Sequence, residues 1–254
     1  MHIHDLPEEL LVTILEMCLL LPPSDFFDES RAHHMGYRRT CLNIAPACEL
    51  LLVCKQWARV GTPLLYSSVL LVSRRHAECV AAHLDREPAL AARVRNLRVS
   101  GRSSTSLLAI ARAARNVRAV CVFPPFDPTP AGIDRLAEVL AELDPEALHI
   151  GHLGASMVAP FVEQSTSLRS IRFMPYAKVT KDVKEAIVRS RSLEEVSFAD
   201  LPFTFKSERD DWWIRLVKES RLRKVVLPAF GEQRQRFTQQ FAGHPRVLRL
   251  VTFD

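Results

Sequence analysis

Glycine is scarce in this chain, with eight in 254 residues. No glycine-rich loop is present to cradle a phosphate, and neither a Gly-x-Ser-x-Gly elbow nor a zinc-protease pattern occurs. Asp127, Asp134, Glu138 and Glu142 mix acids along one loop and helix, as a solvated face does. Catalysis finds no support, and neither enzyme activity nor a cofactor is expected. Paired cysteines are also missing. The six, at 18, 41, 48, 54, 79 and 121, include no two-residue spacing, which excludes a zinc knuckle and a redox motif. Cys18, Cys54 and Cys121 lie in apolar segments and read as small core residues, free thiols in a reducing compartment. His33, His34, Cys41 and Cys48 fit no metal-ligand template, so no metal is expected there.

Long apolar runs are absent too. The stretch Met17 to Pro23 is far too short to span a bilayer, and Asp5, Glu8 and Glu9 stand where a signal peptide needs positive charge. The expectation is a protein of the cytoplasm or nucleus with no membrane partner. Charge runs are missing as well: 34 basic against 29 acidic residues give a net charge of +5, which does not recommend a nucleic-acid partner. What is present is a composition of 48% hydrophobic and 25% charged residues, that of a folded globular chain.

Asp5-Leu6-Pro7-Glu8-Glu9 reads as a helix start, with proline near the first helical position and acids facing the positive end of the helix dipole. Leu6, Leu10, Ile14, Met17 and Cys18 recur at helical spacing, and Leu11 and Leu15 widen the stripe. A second amphipathic helix is expected from about Ile44 to Val60, with Leu50, Val53, Cys54 and Trp57 on one face. Gly61-Thr62-Pro63 then breaks the chain before Leu64-Leu65-Tyr66.

These segments resemble the F-box family, whose pattern begins Leu-Pro-x-Glu, continues with Ile-Leu and ends in Val-Cys-Lys-x-Trp and a leucine-rich turn. Leu6-Pro7-Glu8-Glu9-Leu10, Ile14-Leu15, Val53-Cys54-Lys55-Gln56-Trp57 and Pro63-Leu64-Leu65-Tyr66 supply those pieces in order. The likeness is to the fungal-type variants that precede leucine-rich repeats. It implies that Leu6, Pro7, Leu10, Ile14, Leu15, Val53, Trp57 and Leu64 form an apolar contact with a Skp-type adaptor protein, and through it with a cullin. The connector is longer than the family usually shows. Its insertion, at about 22–42, is rich in charge and reads as solvated.

From Tyr66 onward one small pattern repeats: a strand with apolar residues at its first, fourth and sixth positions, then a helical segment. The clearest copies are Val94-Arg95-Asn96-Leu97-Arg98-Val99, Val117 to Val122, Leu168 to Phe173, Leu193 to Phe198 and Leu222 to Leu227. Weaker copies lie at Val69-Leu71, Leu148-Ile150 and Val247-Leu250. Their spacing of 23 to 29 residues is that of leucine-rich repeats. The fold class expected is therefore α/β: a helical F-box-like module over 1–66, then an irregular leucine-rich-repeat-like solenoid over 67–254. Strand side chains alternate, so positions three, five and seven should stand on an open concave face. Arg98, Phe123, His149, Arg172, Met174 and Lys224 are the substrate-binding candidates there, with Phe123, Met174 and Phe253 expected as exposed apolar groups.

The function expected is that of a substrate-recognition adaptor of a Skp–cullin–F-box type E3 ubiquitin ligase, whose repeats bind a protein substrate. The alternative is a repeat scaffold without a ligase role, capped by the N-terminal helices. A third reading makes the concave arginines a phosphate-binding surface. Trp212-Trp213 is expected with one ring on the sheet and one at its rim, and the proline-rich stretch from Phe123 as a rigid loop with proline starting the next helix.

Overall fold

A computed structural model describes residues 6–20, 26–27, 49–100, 104–123, 130–151, 155–175, 177, 179–199, 210–228 and 231–254. Helix α1 spans Glu8–Leu19, and the amides of Leu10 and Leu11 donate to the Pro7 carbonyl at 3.1 Å. Pro7 thus stands at the N-cap, and Glu8 and Glu9 occupy the first turn. Helix α2 spans Lys55–Leu65 and packs Trp57 and Val60 against Leu11, Leu15 and Leu19 of α1. The Arg59 guanidinium joins the two helices by donating to both carboxylate oxygens of Glu8.

Two details differ from the sequence expectation. The second helix starts at Lys55, after a turn over 52–54. Gly61-Thr62-Pro63 does not break it: α2 continues through Pro63 to Leu65. Gly61 is buried, and a Cβ there would collide with Leu51 and press on Leu19. The glycine serves helix packing rather than helix termination.

The rest of the described chain alternates strand and helix. The strands are β1 Ser68–Leu71, β2 Asn96–Val99, β3 Ala119–Val122, β4 Ala147–Ile150, β5 Ser170–Phe173, β6 Glu195–Phe198, β7 Lys224–Leu227 and β8 Val251–Phe253. They form one eight-stranded sheet in chain order, every neighbouring pair parallel. Between them lie α3 Arg74–Arg86, α4 Pro88–Ala91, α5 Ser104–Ala113, α6 Pro130–Leu143, α7 Ala159–Gln164, α8 Lys181–Arg189, α9 Asp210–Glu219, α10 Gly231–Gln240 and α11 Pro245–Leu250. Strand starts recur every 23 to 29 residues. This is a solenoid-like α/β fold, in which each unit buries its apolar side against its neighbours.

The core follows the repeat. Leu97, Val120, Leu148, Ile171, Val196, Val225 and Val251 stand in one register across the sheet, and all are buried against the helices. The tryptophans of the 212–213 pair join them: Trp213 meets Phe237 at 5.1 Å between ring centroids, and the Trp212 indole N–H donates to the Lys184 carbonyl. Neither is left at a rim. The last strand is also displaced from expectation, since Val247 to Leu250 belong to α11 and β8 begins at Val251. Pro245, at the start of α11, favours a helix over a strand there.

Candidate functional site

Two surfaces stand out, and the first is on α1. Leu11, Leu15 and Leu19 face α2, whereas Leu10, Ile14 and Met17 point away from it and are 52%, 40% and 83% exposed. With about 100° per residue, these two sets lie on different faces of the helix. Leu52 and Val53, in the turn before α2, add 83% and 51% exposed apolar groups. Of the residues that the F-box resemblance assigns to adaptor contact, Pro7, Leu10, Ile14 and Val53 are exposed, and Leu6 and Leu64 are half-buried. Leu15 and Trp57 are buried between the helices, where they hold α1 on α2. Cys18, expected in a core, is exposed on the same helix.

The second surface is the face of the sheet turned away from the helices, the one expected to be concave. Sheet register places Leu70, Arg98, Cys121, His149, Arg172, Ser197, Val226 and Thr252 side by side in one row across it. A backbone hydrogen bond beyond each strand continues the ladder by one residue, to Phe123, Gly151 and Met174. The structure therefore brings Arg98, Phe123, His149, Met174 and Arg172 together on neighbouring strands. Lys224 stands apart near the far end, 3.2 Å from the Glu195 carboxylate.

The expected openness of this face is corrected. Phe123 and Met174 are buried, and Arg98 is only 5% exposed. What covers them is the pair Phe26-Phe27, from the segment read as a solvated insertion. The two rings meet edge to face, 4.9 Å between centroids, in a cluster with Ala119, Cys121, Phe123 and Met174. Phe27 stacks on the His149 imidazole, with centroids 4.2 Å apart and planes inclined by 13°. One Arg98 amino group donates to the Phe26 carbonyl at 2.6 Å, while the guanidinium lies 4.5 Å over the Phe123 ring.

Small side chains make the room. Ala119, Ala147 and Cys121 line the floor, and Gly151 lets the Phe123 ring approach so closely that a Cβ would collide with it at 2.5 Å. The electrostatics follow from the cover. Burial pushes His149 down to about 4, and the Arg172 guanidinium on β5 acts in the same direction. The buried Arg98 Nε and His149 Nδ1 have no hydrogen-bond partner among the described residues. Arg172 remains exposed. Elsewhere, Phe253 is half-buried against the core and has Arg234 5.4 Å over its ring.

Sequence reasoning misses Phe26 and Phe27. The signal that points to them is an adjacent aromatic pair inside an otherwise charged segment, Asp25-Phe26-Phe27-Asp28-Glu29. His33, His34, Cys41 and Cys48 lie outside the described residues, and no cluster of potential metal ligands occurs among those described. No described helix is long and apolar enough to cross a membrane. No protein-family model matches the chain, and a search of curated proteins finds no match.

Proposed function

We propose that this chain is a substrate-recognition adaptor of a Skp–cullin–F-box type ubiquitin ligase. In this reading α1 and the turn before α2 dock a Skp-type adaptor protein, and the concave face of the repeats recruits the protein to be ubiquitylated. It holds two partners together and catalyses nothing itself, working in the cytoplasm or nucleus. The observation that carries the reading is the second apolar face of α1, with Leu10, Ile14 and Met17 left in solvent beside Leu52 and Val53. A helix apolar on both sides needs a partner on each, and α2 supplies only one. The ordered F-box-like motifs on these same segments name the class of the second partner.

Co-expression with a Skp-type adaptor and gel filtration test it. The chain should co-elute with the adaptor as a one-to-one complex, and Leu10→Arg should abolish co-elution without unfolding the repeats. A folded chain that ignores the adaptor would overturn the ligase role. It would favour the scaffold reading, for which the packing of Tyr66, next after α2, against the repeat core speaks. A phosphate-binding concave face is the weaker reading, because Arg98 is engaged by Phe26 and Lys224 by Glu195.

A further inference from the structure

Phe26 and Phe27 occupy the face that should recruit a substrate, and they do so as a ligand would. They come from a segment remote in sequence, with a distance of 72 residues between Phe26 and the arginine that binds its carbonyl. The seat is built for an aromatic pair: a floor of small residues, an imidazole presented flat to one ring, and a buried guanidinium directed at a backbone carbonyl. It also holds more polar capacity than the resident pair uses. The Arg98 Nε, though buried, has no hydrogen-bond partner among the described residues. Among the described residues its acceptor is a neutral carbonyl, not the carboxylate that its fork fits best. Exposed Arg172, on the strand beside His149, adds positive charge next to the seat.

We propose that the concave face is a docking site for an acidic segment carrying two adjacent aromatic residues, and that Phe26-Phe27 is its resident competitor. The chain's own sequence shows the matching chemistry, since the pair is flanked by Asp25, Asp28 and Glu29. The partner is a protein that presents such a segment, and its arrival displaces the internal pair. This deepens the recruitment part of the proposed function and does not depend on adaptor docking. Closure in cis sets a threshold for recognition. A tethered segment acts at an effective concentration on the order of millimolar, so a micromolar partner must outcompete it.

The test uses a fluorescent peptide of sequence Ser-Asp-Phe-Phe-Asp-Glu and the full chain, with anisotropy as readout. Against the double variant Phe26→Ala/Phe27→Ala the peptide should bind at least tenfold more tightly than against the unmodified chain. Adding Arg98→Ala should remove that binding, and a Ser-Asp-Ala-Ala-Asp-Glu control should not bind. Replacing the peptide's acids by amides should weaken it several-fold. A folded double variant that ignores the peptide would overturn the proposal, as would equal affinity for both peptides. The double variant could instead fail to fold. The unmodified chain is then titrated with millimolar peptide carrying a nitroxide at its N-terminus while the His149 ring protons are followed by NMR, since the peptide's own phenylalanines would restack on that ring. Saturable paramagnetic broadening of those signals supports displacement, and unbroadened signals overturn it. Adaptor co-elution is measured on the same protein, so loss of peptide binding and loss of the ligase role are read separately.

Discussion

Leu10 and Leu15 are five residues apart on one helix and take opposite parts. Leu15 is fully buried against α2, and its truncation to alanine should cost about 2 to 5 kcal/mol in chemical denaturation. Leu10 is 52% exposed, so Leu10→Arg should move stability by no more than about 0.5 kcal/mol. If Leu10→Arg also lowered stability by several kcal/mol, its face would be part of the fold rather than a docking surface. His149 gives a second residue-scale expectation. Its pKa is depressed from 6.5 to about 4 by burial and by Arg172, while Phe27 and the Cys121 side of β3 face it without charge. Where the cover opens, the ring takes a proton first. The closed form therefore keeps its full stability above about pH 6.5 and loses roughly 3 kcal/mol as pH falls to 4. An NMR titration of the His149 ring checks this. A midpoint at the ordinary histidine value would mean that the Phe27 stack does not persist in solution.

At the scale of elements, the joint between α6 and the α7–β5 turn shows how repeats are tied. Asp144 follows α6 with φ of 37°, a left-handed conformation that aspartate tolerates. Its carboxylate accepts the Ser165 and Ser167 hydroxyls, each at 2.7 Å. Burial pushes the Asp144 carboxyl up, but the hydroxyl and backbone donors at 165–167 outweigh it and hold the group below the usual carboxylate range. This lowered pKa contributes stability above the ordinary aspartate pKa, and the contribution is lost as pH falls through the folded value. Asp144→Ala loses both the acceptor and the tolerance of positive φ, and should cost about 1 to 3 kcal/mol. Asp144→Asn keeps the backbone preference and should cost less, with thermal melts at neutral pH deciding the order. Equal costs would show that charge, which both variants lose, governs this turn rather than backbone conformation.

The whole molecule is a one-dimensional stack with an internal cover over part of one face. In such an array, stability is carried by neighbouring units, so units flanked on both sides should open last. Strands β3 to β5 sit mid-sheet and carry the Phe26-Phe27 cluster, whereas β8 has three residues and, among the described residues, a strand on one side only. Amide hydrogen exchange should be slowest in β3 to β5 and fastest in β8. Exchange from β3 as fast as from β8 would contradict both the stacking order and the cover.

The periodic parts of this molecule are legible in its sequence. Leu97, Val120, Ile171 and Val196 recur at fixed positions, and strand alternation alone places them inward. The same alternation puts Arg98, His149 and Arg172 on one face, because register in a parallel repeat follows from local pattern. Where local signals compete, the pattern misleads: Gly61 and Pro63 resemble a break but lie within α2, and Val247 to Leu250 resemble a strand but form α11. The cover over this face of the sheet is beyond any local pattern. Phe26-Phe27 meets Arg98 and His149 across a long sequence separation, and such a contact has no period to betray it. Sequence by itself determined the repeating unit, since apolar spacing and backbone geometry are short-range. Only the tertiary structure decided which apolar face of α1 is spent internally and which face of the sheet is already occupied, because both depend on what distant segments happen to bury.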